Sequence, residues 1–474
     1  MRLRPLVLTI AIGLTACVGT AVAAAPPIAA YSLAAPRSVA ASGLVARAVV
    51  PAGDGCPDLV ANGRSLHMNL RSAATNTGSA FAPITVCERA VPAGSTRVTV
   101  GGTAIPAAMP ARVRRIGIFS DSGCRVNLEE PVQDCSSAEA WPLARIARRV
   151  AGSSPDVVVF TGDFFYREGP CPDGFQDYCG ASPPPVPGMP FTDSAYGWIV
   201  DTLVPMAPVL HAAPLVVVRG NHEDCWRAGN GYFLLFDPRP TTTNWCAPVA
   251  DGSGALSAPA APPTDPYPID LPVAKGRTLR LVIADSAPGS DLRVTPEAAV
   301  LRPAYSKAND LAVARAGRES WLLVHRPIFG LVSSTLVSGT GTPWTSTDQQ
   351  AASVGLLSRY RMILSSHIHL AQAVQIPGQA GQLVLGNGGT ALDPATGYDT
   401  PTYGPLQNAV GTPLITGVPP YPAPTSEWTD VRFGYAVAAP GAAAGRWTIR
   451  LRTDAGALMA TCRVAGRTLG CTPA

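Results

Sequence analysis

Charge is scarce in this chain. Only 14% of its 474 residues are Asp, Glu, Lys or Arg, and the formal net charge is +4. The basic residues, almost all Arg, are spread along the sequence rather than gathered in a stripe, which argues against nucleic-acid binding. No Cys-x-x-Cys pair occurs, so a zinc-finger reading is weak. No internal repeat and no cofactor fingerprint are visible. What is abundant is apolar material: hydrophobic residues make up 47%, enough for a substantial core and incompatible with wholesale disorder.

The N-terminal apolar run, Leu6 to Leu14, is too short to span a bilayer convincingly. Arg2 and Arg4 precede it and small residues follow, so residues 1–23 read as a secretory signal peptide. Two cleavage sites compete. Ala21–Val22–Ala23 suits ordinary signal peptidase and a secreted or periplasmic product. Leu14–Thr15–Ala16–Cys17 resembles a bacterial lipobox, which would anchor the chain to the cell envelope through an acylated Cys17. Either route removes Cys17 from disulfide pairing and leaves ten cysteines, an even number that reads as a disulfide set. Connectivity does not follow from the sequence. Sequential pairing is the simplest expectation, because it closes five short local loops.

Residues 24–52 are rich in Ala and Pro and read as a linker. Residues 53–111 hold short alternating stretches, such as Thr96–Val100, and read as a small β-rich module with His67 in a structural role. Residues 112–474 form the main domain. There, 115–119 is expected as a strand ending at Asp121. A helix follows from Trp141–Pro142, with Leu143, Ile146, Ala147 and Val150 at helical spacing. The four apolar residues 157–160 suit a buried parallel strand and lead into Thr161–Gly162–Asp163, with Tyr166 three residues on. This βαβ unit puts Asp121 and Asp163 at strand carboxyl ends, where open α/β sheets bind ligands.

Residues 167–190 make a loop too long and Pro-rich for a mere connection. Helix is expected over 193–206 and 348–360. Strands are expected over 215–219, ending in Gly220–Asn221–His222–Glu223; over 279–285; over 321–324, ending at His325; over 362–364, before Ser366–His367–Ile368–His369; and over 383–385, before Gly386–Asn387. Residues 433–437 and 447–451 are expected to finish a second sheet.

Five strand ends thus carry polar residues: Asp121; Asp163 with Tyr166; Asn221 with His222; His325; and His367 with His369. The chain has only six histidines, and four fall here, which packing alone explains poorly. Oxygen and imidazole donors in this mix suit Zn²⁺, Fe or Mn²⁺. Two such ions need a bridging carboxylate. As a pair they lower the pKa of bound water, clamp a phosphate and stabilise both oxygens of an in-line displacement.

These blocks resemble the calcineurin-like metallophosphoesterase superfamily, and within it they are most similar to the purple acid phosphatase branch. That branch has Asp-x-Gly and Gly-Asp-x-x-Tyr, as in Asp121–Ser122–Gly123 and Gly162–Asp163–Phe164–Phe165–Tyr166. The resemblance spans roughly residues 115–370. It implies an α/β fold: an αββα sandwich of two mixed sheets flanked by helices, here preceded by the small β-rich module. It implies two metal ions, iron with zinc, manganese or a second iron. One would be held by Asp121, Asp163, Tyr166 and His369, and the other by Asp163, Asn221, His325 and His367, with Asp163 bridging. A metal-bound hydroxide would attack phosphorus, with His222 over the substrate as the catalytic residue and Glu223 as a structural brace. Arg125 has two open readings, a phosphate contact or a surface residue. Ser120 and Ser366 stand where the family usually has Gly, and no histidine lies between His325 and His367 to serve as an extra proton donor. The expected partner is a small phosphate ester, with phosphomonoester hydrolysis favoured. A phosphodiesterase with the same centre is the alternative, and a non-catalytic metal-containing binding protein the less favoured one.

Overall fold

The computed structural model describes residues 26–71, 80–127, 132–180, 193–225, 227–241, 246, 263–291, 294–312, 315–330, 332–333, 343–344, 346–393 and 425–474. The leader with its two processing sites, and residues 181–190 of the expected loop, lie outside them.

Two sheets pack face to face. The first runs, edge to edge, through Thr468–Pro473, Leu458–Ala465, Arg446–Thr453, Gly434–Pro440, Ile116–Phe119, Val157–Phe160, Leu215–Val217, Ala29–Ala34, Leu44–Pro51, Ile84–Ala90 and Asn69–Leu70. The second runs through Tyr267–Ala274, Arg277–Ile283, Arg318–Leu323, Met362–Ser365, Gly381–Leu385, Ala371–Gln375 and Ser426–Asp430. Strand periodicity explains the layering, since successive side chains point to opposite faces. Val157 and Val159 join Val216, Leu279, Trp321 and Leu364 between the sheets. Val158 and Phe160 face outward and are covered by Ile146, Val209 and Phe233 from three helices, Leu143–Gly152, Val204–Ala212 and Gly229–Leu235. On the far side Leu301 and Tyr305 of the Glu297–Leu311 helix cover Val282, Leu322 and Ile363. The result is the expected helix–sheet–sheet–helix sandwich. Among the described residues no helix is long and apolar enough to cross a membrane.

Several local expectations hold. Leu143, Ile146, Ala147 and Val150 are all buried on one helix face behind Pro142. All five disulfides are the sequential ones: Cys56–Cys87, Cys124–Cys135, Cys171–Cys179, Cys225–Cys246 and Cys462–Cys471.

Other expectations are corrected. The described part of 24–52 is not a linker. Ala29–Ala34 and Leu44–Pro51 are strands of the first sheet, and the former pairs in parallel with Leu215–Val217. Alanine is uncommon in strands, but small side chains fit here because both faces are covered. Tyr31 and Leu33 pack under the helices, while Ala30, Ala46 and Ala48 pack against Leu59, Val98 and Val100. Those last residues belong to a four-stranded sheet, Arg64–His67, Asp58–Ala61, Val98–Val100 and Thr103–Ile105. The β-rich region is therefore continuous with the sandwich rather than a separate bead, since Ile84–Ala90 also pairs with Leu44–Pro51. The C-terminal strands continue the first sheet, not the second: Gly434–Pro440 runs antiparallel to Ile116–Phe119. The 348–360 helix spans only Thr347–Ser353, and Gly355 turns the chain away at φ +78°. Over 193–206 the helix is interrupted by a π-helical turn, Ile199–Leu203, which carries buried Asp201.

The N-terminal strands also hold the helix that follows the Asn221–Glu223 turn. Arg47 donates to the carbonyls of Leu234 and Leu235, and Arg71 to those of Phe233 and Asp237. The carbonyls of Phe233, Leu234 and Leu235 are ones that the helix end leaves without partners, and cations are favourable there.

Candidate metal centre

The strands ending in Asp121, Asp163 and Asn221 are parallel neighbours in the first sheet. Those ending in His325 and His367 are parallel neighbours in the second. Stacking the sheets brings these carboxyl ends to one place.

Around Tyr166 the spacing is tight. Its hydroxyl lies 2.8 Å from Asp163 Oδ2, 3.1 Å from Asp121 Oδ1 and 2.9 Å from His369 Nε2. On the other side of Asp163, His325 Nε2 is 3.1 Å from Asp163 Oδ2 and 2.9 Å from Asn221 Oδ1. His367 Nδ1 is 2.7 Å from that same amide oxygen. Two donor groups, Asp121–Asp163–His369 and Asp163–His325–His367, each have their ligand atoms within 4.8 Å of one another. Asp163 belongs to both. All eight residues expected at the site converge on it.

The backbone is bent to achieve this. Asp121, Asp163 and His367 have φ of 53°, 58° and 76°, three of the five non-glycine residues with positive φ among the described residues. Each such residue costs on the order of 1–3 kcal/mol, and strain of this kind gathers at functional sites. Glu223 holds the bend at Asp163. Its carboxylate accepts N–H groups from Asp163 (2.8 Å), Phe164 (2.8 Å), Phe165 (3.2 Å) and Gly220 (3.0 Å). Two glycines are required by close approach. A Cβ on Gly220 would fall 2.0 Å from Asp163 Oδ1, and one on Gly123 would fall 2.6 Å from Phe164 O. A side chain at 123 is thus excluded by the very segment that delivers Tyr166.

The residues fit a metal pair on electrostatic grounds. Asp121 and Asp163 are wholly buried, and Asp121 Oδ2 has no hydrogen-bond partner. Burial and the neighbouring Asp163 push the Asp121 carboxyl well above the usual range. Burial also pushes Asp163 up, but His325, His222 and His367 outweigh it and hold that carboxyl well below the usual range. Burial and both carboxylates push the Tyr166 phenol well above its ordinary value. Such a set ionises together only beside cations, and bound metal ions are the strongest local charges available. Burial lowers His367 to about 4 despite Asp291, and burial with Arg125 holds His369 well below the usual imidazole range, so both imidazoles stay neutral, as ligands must.

Several residues at the site carried no signal in the sequence. Glu168 Oε1 lies 2.5 Å from His222 Nδ1, and Arg227 Nε lies 3.3 Å from the same oxygen. Asp291 Oδ2 is 3.0 Å from His367 Nε2 and pairs with Arg326. Asp393 Oδ2 accepts the His369 backbone N–H at 2.8 Å, and its Oδ1 lies 3.7 Å from the ring Nδ1. A ligating imidazole needs a partner for its other nitrogen, which predicts that such groups exist but not which they are. Arg167 pairs with Asp201 on the π-helical turn at 2.8 Å, both buried, and so fixes the chain between Tyr166 and Glu168. Arg125 lines the site rather than the outer surface, with Nη2 2.6 Å from His369 Nδ1 and its guanidinium 5.6 Å from the Tyr166 ring centre. His67 is exposed beside Asp58 at 3.2 Å, away from the cluster.

A family model described as calcineurin-like phosphoesterase matches residues 114–371. Among solved structures, the purple acid phosphatase PPD1 from yellow lupin (Lupinus luteus) seeds aligns with a TM-score of 0.51 at 12% identity, covering 93% of this chain and 74% of its own. The structure of PhoD aligns with a TM-score of 0.56 at 12% identity, covering 95% of this chain and 93% of its own. At that identity both likenesses bear on the fold alone. No curated protein sequence matches the chain.

Proposed function

The chain belongs to the calcineurin-like phosphoesterase family, and from that premise we propose that it is an exported phosphomonoesterase with a dinuclear metal centre. Asp121, Asp163, Tyr166 and His369 would hold one ion, and Asp163, Asn221, His325 and His367 the other, as iron with zinc, manganese or a second iron. When bound, the pair supplies a nucleophilic hydroxide and positive charge for the phosphoryl oxygens. The observation that carries the reading is the position of Asp163, shared by both donor groups and held at positive φ.

The chain's own residues do the rest. His222 donates its backbone N–H to Asp163 Oδ1 at 2.9 Å, and its ring Nε2 stands 3.8 Å from Asp163 Oδ2. The ring is thus placed to face a phosphoryl group at the bridging carboxylate. Burial lowers the His222 imidazole, while Glu168 favours its charged form. With Nδ1–H against Glu168, Nε2 carries a proton only in the imidazolium form that Glu168 favours, and that is the proton a leaving oxygen would take. Tyr166 packs on the His222 ring at 4.0 Å and limits its rotation. Five disulfides among the described residues support an oxidising destination for the chain.

Hydrolysis of p-nitrophenyl phosphate compared with its bis-ester tests the assignment, alongside metal analysis of protein purified without added metal. Faster turnover of the monoester and about two ions per chain are expected. Preference for the bis-ester would make the enzyme a diesterase, and activity on neither would favour a binding role.

A further inference from the structure

Thr161 precedes the Gly162–Asp163 turn, and three polar groups from distant parts of the chain meet on it. Its carbonyl oxygen lies 2.9 Å from His325 Nδ1 and 2.9 Å from Ser366 Oγ, and those two atoms are 3.0 Å apart. Its hydroxyl lies 2.8 Å from Ser120 Oγ, which also donates to Leu385 O at 2.7 Å. His325, Ser366, Thr161 and Ser120 are all wholly buried. Ser120 and Ser366 are the two positions at which this chain departs from the glycine of the family pattern.

The triangle determines where the protons are. A carbonyl oxygen only accepts, so His325 Nδ1 must carry hydrogen; a bare Nδ1 would set two lone pairs against each other at 2.9 Å. The Ser366 hydroxyl donates to Thr161 O and offers its own oxygen to the Nδ1–H. With Nδ1 committed to its hydrogen, Nε2 is the nitrogen that faces Asp163 Oδ2 and Asn221 Oδ1, at 3.1 and 2.9 Å, and so the one a cation shared with those oxygens would meet. That is the atom and the tautomer a metal ligand requires.

We propose that Ser366 is a positioning residue that locks the His325 ring and its Nδ1–H tautomer, and so sets the affinity of the second ion, held by Asp163, Asn221, His325 and His367. This rests on the dinuclear reading for its metal consequence but not for the tautomer. Ser366→Ala removes the hydroxyl without a change of backbone. Groups that orient a ligating histidine are worth about 10–100-fold in metal affinity, so chelator competition should strip the second ion from Ser366→Ala at a correspondingly lower chelator concentration, while the first ion, whose ligand Asp121 the Ser366 hydroxyl also reaches, should lose clearly less. Ser120→Ala is the control, since it deletes a buried hydroxyl from the same threonine without touching His325, and it should leave the second ion unchanged.

The tautomer is read separately, in metal-free protein, from histidine ¹⁵N–¹H spectra. The wild type should show a slowly exchanging Nδ1–H on His325, and Ser366→Ala should exchange it faster. Equal retention of both ions by Ser366→Ala, or an equal loss in Ser120→Ala, would overturn the proposal, as would an unchanged Nδ1–H. A wild type that binds no pair of ions would instead refute the dinuclear reading and leave the exchange measurement as the test of the lock.

Discussion

Replacing Glu223 by Gln separates a brace from a catalyst. The carboxylate takes four backbone N–H groups, two on each oxygen: Phe164 and Phe165 on Oε1, Asp163 and Gly220 on Oε2. Glutamine keeps one oxygen and turns an NH₂ group toward the other two donors, so two buried N–H groups lose their acceptor. Each unsatisfied buried group costs about 1–3 kcal/mol, giving a loss of roughly 2–6 kcal/mol. The same four bonds hold Asp163 at φ 58°, so its carboxylate should wander once they go. Urea unfolding with the disulfides intact should show a lower midpoint at unchanged slope, and metal content after dialysis against chelator should fall in parallel. A shift worth less than about 0.5 kcal/mol, the size of an ordinary surface substitution, with full metal retention, would refute the brace. Loss of turnover at wild-type stability would mean that Glu223 acts in the chemistry.

His222→Asn should lower kcat by about 10²–10⁴-fold for esters with alkyl leaving groups, the usual worth of a general acid, and by less for p-nitrophenyl phosphate, whose leaving group needs no proton; equal losses on both would argue against proton donation. Asp193 is buried and accepts from Trp198 Nε1 at 2.8 Å and from the N–H of Asn230 at 3.1 Å, yet burial raises its carboxyl to about 7. The native chain therefore holds a proton that the unfolded chain releases near 3.8, and this contribution to stability is present below about pH 4 and lost as pH rises toward 7. At 1.36 kcal/mol per pH unit it amounts to about 4 kcal/mol at most. Unfolding midpoints of wild type and Asp193→Asn from pH 4.5 to 8 should converge or cross along that slope, and parallel curves would rule out the titration.

The site was legible because its parts are local. Each ligand follows a short apolar run by a few residues, as Asp163 follows 157–160 and His325 follows 321–324, and parallel pairing then brings strand ends together. What supports the ligands was not legible. Glu168, Asp291 and Asp393 sit in loops, and Asp291 meets a histidine 76 residues away, so nothing in their neighbourhood marks them out. The N-terminal strands were misread for a different reason. Alanine at positions 29, 30, 34, 46 and 48 looks like low-complexity sequence, whereas in the fold it is what two covered faces have room for. Sheet membership of the C-terminal strands depends on a crossover that no stretch of residues encodes.

The pairing of Ala29–Ala34 with Leu215–Val217 bears on how the molecule comes into being. Tyr31 donates its hydroxyl hydrogen to a carbonyl 204 residues downstream, so this strand is synthesised well before its permanent neighbour. Assembly then runs against the order of synthesis: Ala29–Ala34 docks only after Leu215–Val217 is made, and closure of such a large loop slows that step. Cutting the gene at the start of the family match would not release a self-sufficient enzyme. It would bare the flank of the strand that leads to Asn221, leaving unpaired amides where a second chain could stick.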